Sequence, residues 1–120
     1  MRQIIDFNTI LLDINVMQNN KGNLPYRVLA TLEANSNSRK ELLDFLVSLV
    51  APARGEEGNI SYDLYCSTQN PNEFLFDEVW STKDDFDRHY NSPKSFNDRE
   101  RVRGLLAKPL EIKTYIDISQ

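Results

Sequence analysis

Apolar and polar residues alternate along several stretches of this sequence, and alternation predicts β-strands because successive strand side chains point to opposite faces of a sheet. Residues 26–34 and residues 110–118 alternate in this way. Residues 59–66 and 74–80 are rich in aromatic and β-branched residues, and they flank the turn-forming sequence STQNPNE. These two segments predict a β-hairpin.

The predicted hairpin carries large apolar groups on both faces. One face of its first strand is predicted to hold Ile60, Tyr62, Leu64 and Cys66. One face of its second strand is predicted to hold Phe74, Phe76, Glu78 and Trp80. Because neither face is polar throughout, we expect one face to pack against helices and the other to be covered as well, for instance by a second copy of the chain.

Between the strands, apolar residues recur at helical spacing. The first apolar stripe consists of Leu42, Phe45, Leu46, Leu49 and Val50. Ser38 and Glu41 have the spacing of a capping box, so this helix is expected to begin there. It should bend or end near Pro52, because proline removes a helical hydrogen bond.

A second, short helix is predicted after another capping pattern at residues 81–84. One of its faces holds Phe86, His89 and Tyr90. Ser92-Pro93 should interrupt it, because proline disfavours helix at the residue before it. A further helix is expected to continue to Pro109 and to contain Phe96, Val102, Leu105 and Leu106.

The predicted order of elements is strand, helix, strand, strand, helix, strand, which matches a ferredoxin-like split βαβ arrangement of the α+β class. Its antiparallel sheet has helices on one face, and the apolar residues of the bare face predict a homodimer through the sheet. We assign residues 26–120 to this domain and residues 1–25 to an N-terminal extension with a strand at 10–16. The extension could cover a pocket, add a strand or reach the partner subunit.

Composition limits the function further. With 120 residues, 40% of them hydrophobic, the chain suits a single domain. Its net charge of −4 comes with scattered basic residues, so nucleic acid is not an expected partner. Cys66, the single cysteine, is expected to be a small buried group. With one cysteine and one histidine, the chain is not expected to have a metal site built from clustered Cys and His ligands. Without a membrane-spanning run or a signal peptide pattern, we expect a cytoplasmic protein.

Residues 49–93 resemble the antibiotic biosynthesis monooxygenase family, whose members pair as dimeric α+β barrels. The resemblance rests on three sequences in the same order, LVAPARGEEGNISYDLY, FLFDEVWS and DDFDRHYNSP. Positions at the family's spacing are Pro52, Arg54, Glu56, Gly58, Tyr62, Tyr65, Glu78, Trp80, Phe86, His89 and Ser92. With its flanking strands, the resemblance covers residues 26–118.

The resemblance implies oxygenation of a small aromatic or quinol-type compound, with no metal, flavin or other cofactor, in a pocket between sheet and helices. Such a substrate donates an electron to oxygen as a phenolate or enolate. The protein supplies an apolar cavity, hydrogen bonds to the oxyanion and a base. Many family members have no known activity, so a non-catalytic protein for ligand binding or stress response on the same fold is the alternative.

Three residues are the candidate catalytic groups: His89, Trp80 and Glu78. Histidine is the residue type whose unperturbed pKa lies near neutrality, although a partly exposed histidine without a chemical role is the alternative for His89. Trp80 is either a pocket wall that donates through its indole nitrogen or a core anchor. Glu78 is either a base whose pKa is raised by aromatic surroundings or an ion-pair partner of a residue such as Arg54.

The candidate substrate-binding residues are Tyr62, Phe76, Phe86 and Tyr90, while Tyr65 should lie on the face opposite Tyr62. Two departures from the family pattern matter. Members often carry a second histidine just after the Ser-Pro pair, where this chain has Lys94, Ser95 and Phe96, and that favours the non-catalytic alternative. The haem-degrading branch has an asparagine on its first strand, and residues 26–34 contain none, which argues against haem degradation.

Overall fold

The alternating stretches form the strands of one antiparallel sheet, as the sequence predicts. The computed structural model describes residues 24–119, so the strand expected at 10–16 lies outside the described residues. The strands are β1 (Tyr26–Glu33), β2 (Asn59–Cys66), β3 (Glu73–Trp80) and β4 (Glu111–Tyr115). They lie in the order β2-β3-β1-β4, which is the ferredoxin-like arrangement.

The helices that pack on this sheet are α1 (Arg39–Arg54), α2 (Lys83–Tyr90) and α3 (Pro93–Arg103). Leu42 and Leu46 of α1, Phe86 of α2 and Val102 of α3 are buried in one core with the sheet. Pro52 lies in the last turn of α1, which ends two residues later, as expected for a proline near a helix end.

The helices begin near the expected residues, but their capping bonds differ from the prediction. Ser38 precedes α1, yet its side chain makes no capping hydrogen bond, so the predicted capping box is not formed. α2 begins one residue later than expected, because Thr82 Oγ1 accepts the backbone N–H of Asp85 at 3.1 Å. α3 is capped by Ser92, and Pro93 occupies its first position, where no N–H is needed.

The end of α3 comes earlier than predicted, at Arg103 rather than near Pro109. Beyond the helix, the Leu105 carbonyl accepts from the Asn35 N–H at 2.9 Å, and the Ala107 N–H donates to the Glu33 carbonyl at 2.8 Å. The chain therefore exchanges helical hydrogen bonds for bonds to the end of β1. This tertiary pairing has no counterpart in the local sequence pattern.

β4 is also shorter than the alternating pattern predicts, since it stops at Tyr115 instead of residue 118. Tyr115 pairs with Arg27, close to the start of β1. Pro25 comes just before β1, and its nitrogen has no hydrogen to donate to a neighbouring strand. The ladder therefore ends where its partner strand begins.

The face of the sheet that meets the helices is the one predicted to be apolar in β3, because Phe74, Phe76, Glu78 and Trp80 are all buried. In β2 the prediction holds only in part. Ile60 lies at a β-bulge between Asn59 and Ser61 and is 58% exposed. Cys66 is exposed at the end of this edge strand, so its predicted burial is wrong.

The opposite face of the sheet, which we call the open face, is only partly covered within residues 24–119. It carries Leu29, Thr31, Tyr65, Leu75, Val79 and Tyr115. Tyr65 and Tyr115 are 52% and 47% exposed. Arg27 and Asp77 form an ion pair on this face at 2.8 Å. Glu111 and Lys113 of β4 form a second ion pair on this face at 3.2 Å. The open face thus combines apolar residues with charged pairs.

Across residues 24–119, no helix has both the length and the apolar character required to cross a lipid bilayer.

Candidate active site

A cavity of about 110 Å³ lies between the sheet and the helices. Its apolar lining comes from inward-facing side chains of β1 and β3 and from the buried faces of the helices. Its polar lining is concentrated in the groups Glu56, Tyr62, Glu78, His89, Lys94, Asp98 and Arg99. Apolar walls with a few converging polar groups are typical of small-molecule sites.

Among residues 24–119, Glu78 is the one acidic or basic residue (Asp, Glu, His, Lys or Arg) that is buried; it is 5% exposed. Its Oε1 accepts a hydrogen bond from the indole Nε1 of Trp80 at 2.9 Å. Burial raises the pKa of Glu78 to about 7, the nearby charges of Glu56 and Asp77 act in the same direction, and the indole bond opposes them. Both protonation states of this carboxyl are therefore populated near neutral pH.

The alternative expected for Glu78, an ion pair with Arg54, is not found. Arg54 instead donates to Asp63 Oδ1 at 3.0 Å and to the Tyr62 carbonyl at 2.9 Å. Both bonds tie the end of α1 to β2. Among residues 24–119, no basic side chain forms an ion pair with Glu78. Burial is therefore the largest influence on its pKa.

His89 lines the cavity from α2, and its side chain is 16% exposed. Its Nδ1 lies 2.9 Å from each carboxylate oxygen of Glu56. A carboxylate only accepts hydrogen bonds, so it favours the tautomer with the proton on Nδ1 and leaves the Nε2 lone pair free. Nε2 has no hydrogen-bond partner within residues 24–119, and it can therefore accept a proton from a ligand.

Trp80 is fully buried and does not line the cavity. Its ring packs against His89, with 4.7 Å between the ring centroids. The same ring donates to Glu78, so it contacts both proton-binding candidates. Of the two roles considered for Trp80, a pocket wall and a core anchor, its position is that of a core anchor that orients the two groups.

All four candidate substrate-binding residues line the cavity: Tyr62, Phe76, Phe86 and Tyr90. Tyr62 packs on Phe76 at 5.0 Å between ring centroids, whereas Tyr65 lies on the open face. Burial, followed by the charges of Glu78 and Glu56, raises the pKa of Tyr62 well above its usual value. The Tyr62 hydroxyl therefore stays protonated and serves as a donor rather than a base.

Polar residues of α3 line the remaining side of the cavity. Lys94 pairs with Asp98 at 2.8 Å. Arg99 donates to the Tyr90 carbonyl at 2.9 Å and lies over the Tyr90 ring at 3.9 Å from its centroid. These contacts hold Tyr90 in place as an aromatic wall.

Sequence reasoning noted Glu56 but assigned no chemical role to it. Glu56 and His89 are 33 residues apart, and no local pattern indicates that they meet. Glu56 lies in the loop between α1 and β2, bracketed by Gly55 and Gly58. The sequence does show two glutamates between two glycines in this loop, which could have drawn attention to Glu56. It does not show which of the two glutamates turns towards the cavity.

Gly58 fixes this loop against α2. Its φ of 81° is in the left-handed region that favours glycine, and a Cβ there would lie 2.2 Å from Asp85 Cγ. Asp85 is itself held by the hydroxyls of Ser81 and Thr82 at 2.5 and 3.0 Å. The close approach of Gly58 to α2 therefore places the loop that carries Glu56 next to the helix that carries His89.

Replacing Gly58 by Ala should lower the free energy of unfolding by about 1–3 kcal/mol, since it adds a strained φ and a clash with Asp85. Urea denaturation measures this change. Gly104→Ala is the matched control, because a Cβ at Gly104 has no neighbour within 4 Å. Equal stability of the two variants would show that the close approach is not structurally important.

No group of three or more His, Cys, Asp and Glu side chains within residues 24–119 is arranged to hold a metal ion. The polar groups that line the cavity suit proton transfer and hydrogen bonding. His89 can accept a proton, Glu78 can accept or donate one, and Tyr62 can donate a hydrogen bond.

Comparison with known proteins assigns the family. The sequence model for the family described as "Antibiotic biosynthesis monooxygenase" matches residues 25–95. The chain is 34% identical over 91 residues to the Synechocystis protein sll1783, which corresponds to 76% of this chain and 62% of that protein. It is 33% identical over 88 residues to "Putative monooxygenase Rv0793" of Mycobacterium tuberculosis, covering 73% of this chain and 86% of the relative.

Solved structures agree with this assignment. The structure of Rv0793 has a TM-score of 0.74 and 29% identity to this chain, and the alignment covers 80% of this chain and 97% of the other. PA3566 from Pseudomonas aeruginosa has a TM-score of 0.73 and 26% identity over 80% of this chain and 96% of the other. The segment that matches the family model includes both Glu78 and His89 of the cavity. The chain therefore belongs to the antibiotic biosynthesis monooxygenase family.

Proposed function

We propose that this protein is a cofactor-independent monooxygenase that oxidises a small aromatic or quinol-type compound. The observation that carries the proposal is the meeting of the Glu56-bound His89 with the buried Glu78 in one largely apolar cavity. Two relatives support it by name, since Rv0793 and YcnE of Bacillus subtilis are both named as monooxygenases, each with the qualifier "Putative".

Each residue has a defined role in the proposed reaction. His89 Nε2 removes the hydroxyl proton of a hydroquinone, and Glu56 stabilises the imidazolium that forms. The resulting oxyanion transfers an electron to O₂, and recombination places oxygen on the ring. Protonated Glu78 and the Tyr62 hydroxyl donate to the oxyanion and to the reduced oxygen. One oxygen atom stays on the product, a hydroxyquinone, and the other leaves as water.

Cavity size restricts the substrate. An engineered protein cavity of about 150 Å³ accommodates benzene. At about 110 Å³, the cavity of this protein therefore fits a single substituted ring only with small side-chain movements. Fused-ring substrates would require larger opening of α2 or α3. We accordingly propose a single-ring hydroquinone rather than a polycyclic one.

Oxygen uptake with single-ring hydroquinones tests the proposal. We expect uptake above the autoxidation background that falls about a hundredfold in His89→Ala, because general base catalysis typically contributes at least this much. An oxygen electrode records the rate, with the protein treated with chelator beforehand. No uptake by the folded protein with any single-ring hydroquinone would contradict the proposal.

Neighbouring glutamates supply a matched control for this assay. Glu56 binds His89, whereas the Glu57 side chain is 86% exposed and reaches only Arg88, at 3.8 Å. Glu56→Gln should lower uptake and shift its pH profile, while Glu57→Gln should leave both unchanged. Equal behaviour of the two variants would mean that Glu56 does not position the imidazole.

A non-catalytic ligand-binding protein is the second candidate function. One sequence feature favours it: the family often carries a second histidine just after the Ser-Pro pair, whereas this chain has Lys94, Ser95 and Phe96 there. Lys94 is paired with Asp98 at 2.8 Å. A binding protein would take up a single-ring phenol without consuming oxygen. Calorimetric titration together with the oxygen electrode separates the two functions.

We also propose that two copies of the chain pair through the open face. Leu75 is on β3, one of the two central strands of the sheet, and it pairs with Thr31 of β1 on this face. Leu75→Arg should convert the dimer to a monomer in light scattering, because it introduces a charge into an apolar interface. Val47→Arg, on the exposed side of α1, is the control and should leave the dimer intact. A dimeric Leu75→Arg protein would show that pairing uses another surface.

A further inference from the structure

The two proton-binding groups of the cavity belong to different elements of the fold. Glu78 is on β3 and His89 is on α2, and each contacts Trp80. Tyr62 connects them on the other side, since it is the cross-strand partner of Glu78 and its ring centroid lies 6.0 Å from that of His89. A small ligand in the cavity therefore meets both groups together.

These groups suit opposite tasks in a proton transfer. The Glu56 carboxylate occupies His89 Nδ1, which leaves Nε2 as the basic atom of the ring. Glu78 shares one oxygen with the Trp80 indole, and its other oxygen has no partner within residues 24–119. In its protonated form Glu78 can donate a hydrogen bond to an oxyanion through this oxygen.

We propose that the same cavity catalyses an oxygen-independent isomerisation, the conversion of a single-ring β,γ-unsaturated ketone into its conjugated α,β-unsaturated isomer. This inference shares the residues of the proposed monooxygenase site but does not depend on oxygen chemistry. It adds an activity whose substrate class is an enolisable ring ketone.

The step balances without an oxidant or reductant. His89 Nε2 removes a proton from the α-carbon, the C–H electron pair forms a new C=C bond, and the carbonyl π pair moves to oxygen. Glu78 O–H and Tyr62 O–H donate to this dienolate oxygen. The imidazolium then returns the proton to the γ-carbon, and the electrons move back to restore the carbonyl. Each catalytic group ends in its starting state.

Geometry favours this class of ligand for two reasons. Phe76, Phe86 and Tyr90 provide apolar walls for the ring, and the cavity of about 110 Å³ accommodates one ring with small side-chain movements. The Glu78 and Tyr62 hydroxyl groups can donate hydrogen bonds to a single carbonyl oxygen of the ligand. A ring ketone presents one such oxygen and otherwise apolar surface.

The experiment uses 3-cyclohexen-1-one as the probe and is run under nitrogen with the full chain. Absorbance of the conjugated product, 2-cyclohexen-1-one, reports the rate. We expect conversion above the buffer rate, a decrease of about a hundredfold in His89→Ala, and a smaller decrease in Glu78→Gln. In D₂O, NMR should show deuterium at the γ-carbon of the product.

Controls keep the outcomes distinct. Glu57→Gln should convert the probe at the wild-type rate, and circular dichroism verifies that each variant is folded. Conversion no faster than in buffer, or equally fast in wild type, His89→Ala and Glu78→Gln, would overturn the proposal. Because oxygen is absent, this result is independent of the oxygen-uptake assay, so either activity can fail while the other stands.

Discussion

Replacing Trp80 by Ala is expected to lower the free energy of unfolding by about 3–5 kcal/mol, the usual cost of removing a large buried aromatic side chain. Trp80 is 0% exposed and packs between Glu78, Phe86 and His89. Its loss leaves a cavity and also removes the donor to a buried carboxyl. Urea denaturation monitored by circular dichroism measures the change.

A graded variant separates these two contributions. Trp80→Phe keeps most of the buried ring but has no N–H for Glu78, so it should cost about 1–3 kcal/mol. Because the indole bond opposes the upward shift in the pKa of Glu78, that pKa should rise further in this variant. If Trp80→Ala were within about 1 kcal/mol of wild type, Trp80 would not be the anchor of this core.

Glu78→Gln is expected to remove a pH dependence of stability and to stabilise the protein above neutral pH. Burial raises the pKa of Glu78 from 4.5 to about 7. The folded state therefore binds the Glu78 proton more tightly than the unfolded state. This contribution to stability is complete below pH 4.5 and is lost as the pH rises through about 7.

A shift of this size corresponds to about 3 kcal/mol. Glutamine does not titrate, and its side-chain oxygen can still accept from the Trp80 indole. Relative to wild type, Glu78→Gln should thus gain up to about 3 kcal/mol between pH 4 and pH 8. Urea denaturation at several pH values tests this, with the exposed Glu111→Gln as control for the change in net charge.

A difference between wild type and Glu78→Gln that does not vary with pH would contradict the raised pKa. The expected gain in stability also has a functional counterpart. The same variant is expected to have lower activity, because an amide N–H is a weaker hydrogen-bond donor to an oxyanion than a carboxyl O–H. A buried ionisable group that lowers stability at working pH is typical of a functional site.

The fold was largely predictable because its signals are local. Alternation in residues 26–34 and 74–80 follows directly from strand geometry, and the apolar stripe of Leu42 and Leu46 follows from helix geometry. Element ends were less predictable. α3 ends early because Leu105 and Ala107 bond to distant residues near the end of β1, and such bonds leave no trace in a local pattern.

The candidate site was predictable only in its individual members. Glu78 and Trp80 share a face by their spacing, and that relation is present in the structure. The contact between His89 and Glu56 was not predictable, since it depends on how a loop packs on α2 through Gly58. The exposure of Cys66 was also missed, because a strand pattern does not tell an edge strand from a central one.

Cavity and open face lie on opposite sides of a single sheet, so neighbouring residues of one strand serve different purposes. Glu78 faces the cavity, while Asp77 and Val79 on either side of it face outward. Because side chains alternate, one residue inserted within β3 would turn the residues on one side of the insertion to the opposite face, unless a β-bulge like that of β2 absorbed it. Insertions in the turn at residues 67–72 would leave this alternation unchanged. Length is therefore constrained within the strands of this sheet and tolerant in the turn that joins them.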